Sequence, residues 1–265
     1  MKALRLLAAA FMTLAAADAS AAPILLGTAK DFSVLAGSTV TNTGPTVLGG
    51  SLGLWPGTAV TGFPPGIVTL GTIHAGDVVA MQAQLDLTTA YNAAAGQSCG
   101  RNLSGVDLGS AVLTAGVYCF SSSAQLTGTL RLDGQGDPNA SFLFQIASTL
   151  ISASDSTVVF TNGTRSDNVF FQVGSSATLG TNSLFGGNIL ALTSIGLNTG
   201  AQIFCGSALA RNGAVTLDTN VIASGAVDCS ATSGTPVPEP ASLALFGVGL
   251  AGLILARRFA GSATG

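Results

Sequence analysis

The sequence predicts a mainly β protein in which short strands coil into a β-helix and one long α-helix packs alongside. Runs of Val, Leu, Ile and Thr, bounded by Gly and Pro turns, recur over most of the chain. Related phrases that begin at Phe171, Leu190 and Leu209 start 19 residues apart, and an earlier version begins at Phe144. Stacked solenoid coils have repeats of this size, whereas the strands of a β-sandwich do not recur in near-identical phrases.

Residues 1–22 have the features of a signal peptide. Lys2 and Arg5 precede an apolar run over residues 6–17, and Ser20, Ala21 and Ala22 supply the small residues that favour cleavage near Ala22. The apolar run is too short to span a bilayer, which argues against a permanent anchor at this end.

Residues 23–230 are expected to form the β-helix domain, and residues 231–236 a linker. Over residues 29–66, strand-like runs alternate with turns at Trp55-Pro56-Gly57 and Phe63-Pro64-Pro65-Gly66. After Cys99 the strand pattern returns and continues to about Asp228. Nothing within these residues has the composition of a linker between domains.

One segment, over about residues 77–95, has the pattern of an α-helix. Asp77 is expected to open it, Gly96 to end it, and the single histidine, His74, to support its start. Four residues at helical spacing predict the face that packs on the β body: Val78, Met81, Leu85 and Thr88.

Alternation assigns the two faces of the strands in the last three repeats. Thr178, Gly196 and Thr216 are expected to point outward. The residues expected to point inward are Leu179, Ile195, Leu197, Val215 and Leu217. In the preceding coil the alignment leaves open whether Thr149 or Ile151 faces water.

Four cysteines in an exported chain indicate two disulfide bonds. Of the three possible connectivities, Cys99–Cys119 with Cys205–Cys229 is preferred, because each pair then closes a local loop. A site in which all four thiolates bind a metal is the alternative, but no Cys-x-x-Cys spacing occurs, so no metal is expected.

Residues 237–260 resemble a bacterial sorting signal. Pro238, Glu239 and Pro240 precede an apolar segment over residues 241–256, expected to be a short transmembrane helix, and Arg257 and Arg258 follow it. This order is similar to that of the Pro-Glu-Pro C-terminal (PEP-CTERM) signals of Gram-negative bacteria that make exopolysaccharide. The resemblance implies export to the cell surface or extracellular matrix, a sorting enzyme (exosortase) as partner, and a transient or permanent inner-membrane tail. A plain single-span anchor is the alternative.

Composition argues against several classes of function. Only 8% of residues are charged, and residues 23–236 hold five basic side chains against ten Asp, a net charge of about −5. Without a basic patch, nucleic acid is not an expected partner. Asp133 and Asp137 bracket a Gly-rich segment that predicts a tight turn rather than a calcium site. Neither an enzyme nor a cofactor is expected.

Ten segments together carry a family resemblance. They cover residues 26–29, 32–36, 41–46, 56–63, 72–77, 87–91, 116–118, 130–136, 173–180 and 209–217. In this order the body resembles the microbial ice-binding proteins, which are built on a discontinuous right-handed β-solenoid, roughly triangular in section, with one flanking helix. The resemblance implies a monomer that adsorbs to ice through a flat face of short side chains and so inhibits ice growth or recrystallisation.

The candidate face follows from this resemblance and from strand alternation. Strands of neighbouring coils lie about 4.8 Å apart, so that outward Thr hydroxyls and methyls would form an array that orders water. The candidate residues are Thr39, Thr41, Thr127, Thr149, Thr178, Ser194, Gly196, Ala214 and Thr216. The alternative function is a structural or adhesive protein of the exopolysaccharide matrix, whose flat face packs on glycan or on another copy.

Overall fold

The computed structural model describes residues 21–223, which form 24 strands and one α-helix. The helix α1 spans Val78–Ala95, and short 3-10 helices span Gly27–Asp31 and Ser166–Asn168. The strands in chain order are β1 (Phe32–Ala36), β2 (Thr39–Thr43), β3 (Val47–Leu48), β4 (Ser51–Leu54), β5 (Ala59–Thr61), β6 (Ile67–Val68), β7 (Ile73–Ala75), β8 (Arg101–Asn102), β9 (Val112–Thr114), β10 (Gly116–Phe120), β11 (Ala124–Leu126), β12 (Thr129–Asp133), β13 (Phe142–Ile146), β14 (Leu150–Ser152), β15 (Thr157–Thr161), β16 (Val169–Val173), β17 (Ala177–Leu179), β18 (Leu184–Gly186), β19 (Asn188–Ala191), β20 (Ile195–Leu197), β21 (Gln202–Cys205), β22 (Ala208–Ala210), β23 (Val215–Asp218) and β24 (Val221–Ile222).

The strands form three parallel sheets, as the predicted β-solenoid requires. Sheet A has the order β7-β4-β1-β22-β19-β16-β13-β10-β8, sheet B the order β11-β14-β17-β20-β23-β2-β5, and sheet C the order β6-β3-β24-β21-β18-β15-β12-β9. A full coil contributes one strand to each sheet in turn, which makes the solenoid three-sided. Parallel pairing buries the inner face of every sheet in one continuous apolar core.

The stack of coils is discontinuous in sequence. Strands β1, β2 and β3 pair with β22, β23 and β24, so the first coils of the chain lie against the last ones. After β7 the chain must therefore return to the far end of the stack, where β8 begins. Helix α1 makes this return along sheet A, and its 18 residues cover about 27 Å. We call the contact between these first and last coils the seam.

The face of α1 predicted to pack on the sheets is wrong for two of its four residues, whereas Met81 and Thr88 are half-buried. Val78 and Leu85 are 72% and 55% exposed. The buried residues are Ala80, Ala83, Gln84, Leu87, Ala90, Tyr91 and Ala94. Four alanines on this face let the helix approach sheet A closely, which larger side chains would prevent. The predicted ends are confirmed, because the Asp77 carboxylate accepts hydrogen bonds from the amides of Val79 and Ala80 and Gly96 follows the last turn.

The repeat alignment is shifted by one residue in sheet A. Phe171 pairs with Ile189 rather than with Leu190, and Leu190 pairs with Gln172 and Leu209. Since side chains alternate along a strand, this shift turns Leu190 and Leu209 toward α1, whereas Phe171 and Ile189 lie in the solenoid core.

The solenoid core contains the inward residues that alternation predicted in sheet B. Leu179, Ile195, Leu197, Val215 and Leu217 are all at most 2% exposed. Aromatic side chains of sheet A stack along the axis in the order Tyr118, Phe144 and Phe171, with centroid distances of 5.3 and 4.5 Å, and Phe185 of sheet C packs at a tilt on Phe171 with a centroid distance of 4.8 Å. The stack links successive coils and adds to the rigidity of the body.

Cys99 and Cys119 form a disulfide bond, the first of the two predicted pairs, with a Cα–Cα distance of 5.8 Å. The bond ties the segment after α1 to β10. For the second pair, Cys229 lies outside the described residues, and so do most of the predicted signal peptide, the linker and the whole sorting tail. Within residues 21–223, no helix is both long and apolar enough to cross a membrane.

Candidate functional site

The outer face of sheet B carries a single file of outward residues in continuous register, which we call the central column. Every neighbouring pair in it is aligned across adjacent strands. In order along the stack, the central column is Gln125, Ile151, Thr178, Gly196, Thr216, Thr41 and Thr61. Adjacent members are separated by the strand spacing of about 4.8 Å.

Four threonines of the central column present unused hydroxyls. Thr178, Thr216, Thr41 and Thr61 are exposed. Among residues 21–223 none of these hydroxyls has a hydrogen-bond partner. A hydroxyl has one donor and two acceptor positions, all of which are then available to water. This part of sheet B therefore offers regularly spaced hydroxyls and methyls on a rigid backbone.

Beside the central column, shorter side chains hold the coils together. The Ser176 hydroxyl accepts a hydrogen bond from the Ser194 amide at 3.3 Å, and the Ser194 hydroxyl accepts one from the Ala214 amide at 3.1 Å. Thr39 pairs with Ala59 at the next coil. The predicted residues Ser194, Ala214 and Thr39 are half-buried, and they flank the central column rather than belong to it.

Two predicted residues have hydroxyls that are already engaged. Thr149 is half-buried and lies 2.7 Å from the Ser123 hydroxyl, while Ile151, 45% exposed, is the residue of that coil that faces outward. Thr127 follows β11 and donates to the Asp107 carboxylate at 2.6 Å. Asp107, Gln125 and Ile151 therefore lie at the end of sheet B formed by β11 and β14, and the four exposed threonines lie toward the other end.

The prediction from sequence missed Thr61 and Gln125 as members of the central column and left open whether Ile151 or Thr149 faces water. A signal for Thr61 exists, because Ala59-Val60-Thr61 repeats the pattern of Thr39-Val40-Thr41 in register. The coils that follow Gln125 and Ile151 differ in length from the 19-residue repeat. A period of 19 residues therefore does not align these two residues with Thr178.

Among residues 21–223, the ionisable groups near this face lie at its margins. Burial alone would raise the pKa of Asp107, but hydrogen bonds from Thr127 and from the Gly109 amide outweigh it, so that the pKa is lowered. Asp218 pairs with Thr43 on one flank and bonds to the Thr199 hydroxyl. The central column itself has no ionisable side chain. On sheet C, by contrast, Arg131 and Asp133 mix with the exposed apolar residues Leu184, Val221 and Ile67.

His74, Asp77 and Asp133 make structural contacts. His74 Nδ1 lies 2.8 Å from Asp77 Oδ2, and hydrogen bonds from the Ala80 amide and from His74 lower the pKa of Asp77. Asp133 accepts a hydrogen bond from the Gln135 amide at 2.8 Å, within its own turn, and one from the Asn162 side-chain amide of the neighbouring coil at 2.9 Å. In the described part of the chain, no three His, Cys, Asp or Glu side chains are placed to hold a metal.

Comparison with known families identifies the domain. Residues 34–223 match the Ice-binding-like family. The chain belongs to this family. Residues 236–258 match the PEP-CTERM protein-sorting motif, which includes the predicted Pro238, Glu239, Pro240, Arg257 and Arg258. An ice-binding-like domain followed by this motif indicates an exported, cell-surface protein.

Relatives of the ice-binding-like domain are close in sequence and in structure. The chain is 59% identical over 243 residues to an ice-binding protein of Nostoc sp. (strain HG1), and this match covers 91% of this chain and 89% of that protein. It is 47% identical to the crystal structure of an ice-binding protein from an Antarctic biological consortium, with a TM-score of 0.74 over 76% of this chain and 91% of that chain. The ice-binding protein of the ascomycete Antarctomyces psychrotrophicus is 41% identical, with a TM-score of 0.74 over 77% of this chain and 100% of that chain.

Proposed function

We propose that the chain binds ice through the outer face of sheet B and thereby inhibits ice growth or recrystallisation. The observation that carries the proposal is the in-register series Thr178, Gly196, Thr216, Thr41 and Thr61, in which the four threonine hydroxyls have no partner among the described residues. The relatives that cover most of the chain are named ice-binding proteins, which supports the same reading.

The physical basis is the sum of many weak contacts on a rigid surface. Each hydroxyl can form only a few hydrogen bonds to surface water, each of small net free energy, so a single residue contributes little. Parallel ladders and a close-packed core keep the array rigid, so that water meets the same spacing at every coil. A charged side chain would hold its own hydration shell and disturb this order, and the central column contains none.

The same proposal includes the details of export. The signal peptide is cleaved near Ala22, Cys205 and Cys229 form the second disulfide bond, and the chain acts as a non-enzymatic monomer. A sorting enzyme (exosortase) of a Gram-negative bacterium acts on residues 237–260, which form a transient or permanent inner-membrane tail. The matched sorting motif supports this route.

The test compares substitutions on two faces of the solenoid. Thr178→Tyr and Thr216→Tyr place a bulky ring in the central column, and Gln202→Tyr places the same ring on an exposed strand position of sheet C. We expect thermal hysteresis, recrystallisation inhibition and partition into a growing ice hemisphere in the parent protein and in Gln202→Tyr. Both threonine variants are expected to lose these activities while their Tm stays unchanged, since exposed substitutions cost about 0.5 kcal/mol or less.

Two outcomes contradict the proposal. If the threonine variants keep full activity, ice binds another face. If the parent protein fails all three ice assays and instead co-sediments with exopolysaccharide, the matrix function replaces ice binding.

A further inference from the structure

Gly196 lies in the middle of the central column, aligned with Thr178 on one side and with Thr216 on the other. We propose that Gly196 forms a notch in the ice-binding face, at which ordered water of the ice surface reaches the backbone of β20. This inference rests on the proposed ice-binding function and concerns the same face.

The fold does not require a glycine at this position. A Cβ built on Gly196 meets no atom within 4 Å, and the residue is not in the left-handed region of φ. By contrast, a Cβ on Gly180 would lie 2.4 Å from the Ala153 carbonyl carbon, and one on Gly213 would lie 2.3 Å from the Ser194 hydroxyl. The strand pairing through Gly196 is also free of any bulge.

Glycine is nevertheless unfavourable in such a strand. It loses more conformational freedom on folding than any other residue and has no side chain to pack against its neighbours. Where neither a turn, a bulge nor a close approach of the chain's own atoms explains a glycine in a strand, the remaining physical reason is close approach by a ligand.

The surroundings of Gly196 suit water as that ligand. Thr178 and Thr216 are separated by two strand spacings, about 9.6 Å, and the missing side chain of Gly196 leaves a gap between them that water can fill. Neither hydroxyl has a partner among residues 21–223. Below the gap, Ile195 and Leu197 point into the core and are at most 2% exposed, so the floor is a rigid backbone. No ionisable side chain lines the gap, which favours a neutral ligand over an ion.

The test replaces Gly196 with side chains that the fold can accept. Because the space is open, Gly196→Ala and Gly196→Thr are expected to fold with a Tm equal to or above that of the parent protein. Ice activity is expected to fall, more for Thr than for Ala, because the added atoms displace the bound water. Gln202→Thr adds the same β-branched side chain on sheet C and is expected to leave ice activity unchanged. A purely structural role for Gly196 could not raise Tm and lower ice activity together.

Each other result overturns the inference. If the parent protein binds ice and Gly196→Thr keeps or gains activity, the notch is only a gap in the threonine series, and the proposed function stands. If Gly196→Ala lowers Tm, the fold itself needs the glycine. If the parent protein does not bind ice, the inference and the proposed function fail together.

Discussion

At the scale of single residues, hydrogen bonds to carboxylates hold separate segments of the chain together. Asp86 of α1 accepts hydrogen bonds from the amide and the hydroxyl of Thr28, both at 2.7 Å, and from the Gln82 side chain at 2.9 Å. The bonds from Thr28 favour the charged form and lower the pKa of Asp86 below its ordinary value of 3.8. The short helix Gly27–Asp31 is thus fixed to α1.

A folded pKa below the unfolded one makes this contribution depend on pH. The stabilisation by Asp86 is fully present above its unfolded pKa, near 3.8, and is lost as pH falls through the lowered folded value. We expect Asp86→Asn to lower the free energy of unfolding by about 1 kcal/mol at pH 7, since the site is only partly buried, and to weaken the acid dependence. Denaturant titration across pH measures both effects.

The control for this prediction is Asp31→Asn. Asp31 is exposed and its side chain makes no hydrogen bond to the described residues, so this change should leave the unfolding curve at neutral pH unaltered. An Asp86→Asn variant with the stability and acid dependence of the parent would show that the Thr28 contacts do not stabilise the fold.

At the scale of elements, the packing of α1 on sheet A shows what sequence could predict and what it could not. Asp77 and Gly96 predicted the ends of the helix correctly, because capping depends on residues adjacent in sequence. The buried face was mispredicted, because α1 has apolar residues on several sides and its buried alanines give a weak hydrophobic signal. Contacts across the interface decide it, including the hydrogen bond from Gln84 Nε2 to the Ala210 carbonyl at 3.1 Å.

Leu87 and Leu85 allow a matched test of the α1 interface. Leu87 is fully buried against sheet A and Leu85 is mostly exposed on the same helix. We expect Leu87→Ala to lower the free energy of unfolding by about 2–5 kcal/mol, because it leaves a cavity, and Leu85→Ala to change it by about 0.5 kcal/mol or less. Chemical denaturation of the two variants measures the difference. Equal effects would place α1 in a different orientation on the sheet.

At the scale of the whole molecule, the proposed ice-binding surface depends on the seam. Thr41 and Thr61 come from the first coils and Thr178 and Thr216 from the last, and strand β2 joins them by pairing with β23. Each coil of a solenoid contacts only its neighbours, so the two groups of threonines align only while the seam is closed. The central column is therefore a property of the folded chain and not of any one segment.

Gly37 allows a test of the seam, because it lies there without space for a side chain. Its amide donates to the Gly213 carbonyl at 2.9 Å, and a Cβ would lie 2.4 Å from the Arg211 carbonyl oxygen. We expect Gly37→Ala to lower the free energy of unfolding by about 1–3 kcal/mol and to reduce ice activity with it. The exposed neighbour Ser38→Ala should change neither quantity. Unaltered stability in Gly37→Ala would mean that the first and last coils can move apart to accept the methyl group without loss of free energy of unfolding.

The sequence by itself determined the features that depend on neighbouring residues: the alternation of inward Leu217 and outward Thr216, the caps of α1, and the sorting motif of residues 236–258. Only the tertiary structure decided which outward residues share a column, bringing Thr61 and Ile151 into it and shifting Leu190 by one position. The physical reason is that register between coils is set by turn lengths and by packing between segments far apart in the chain, whereas strand alternation is local.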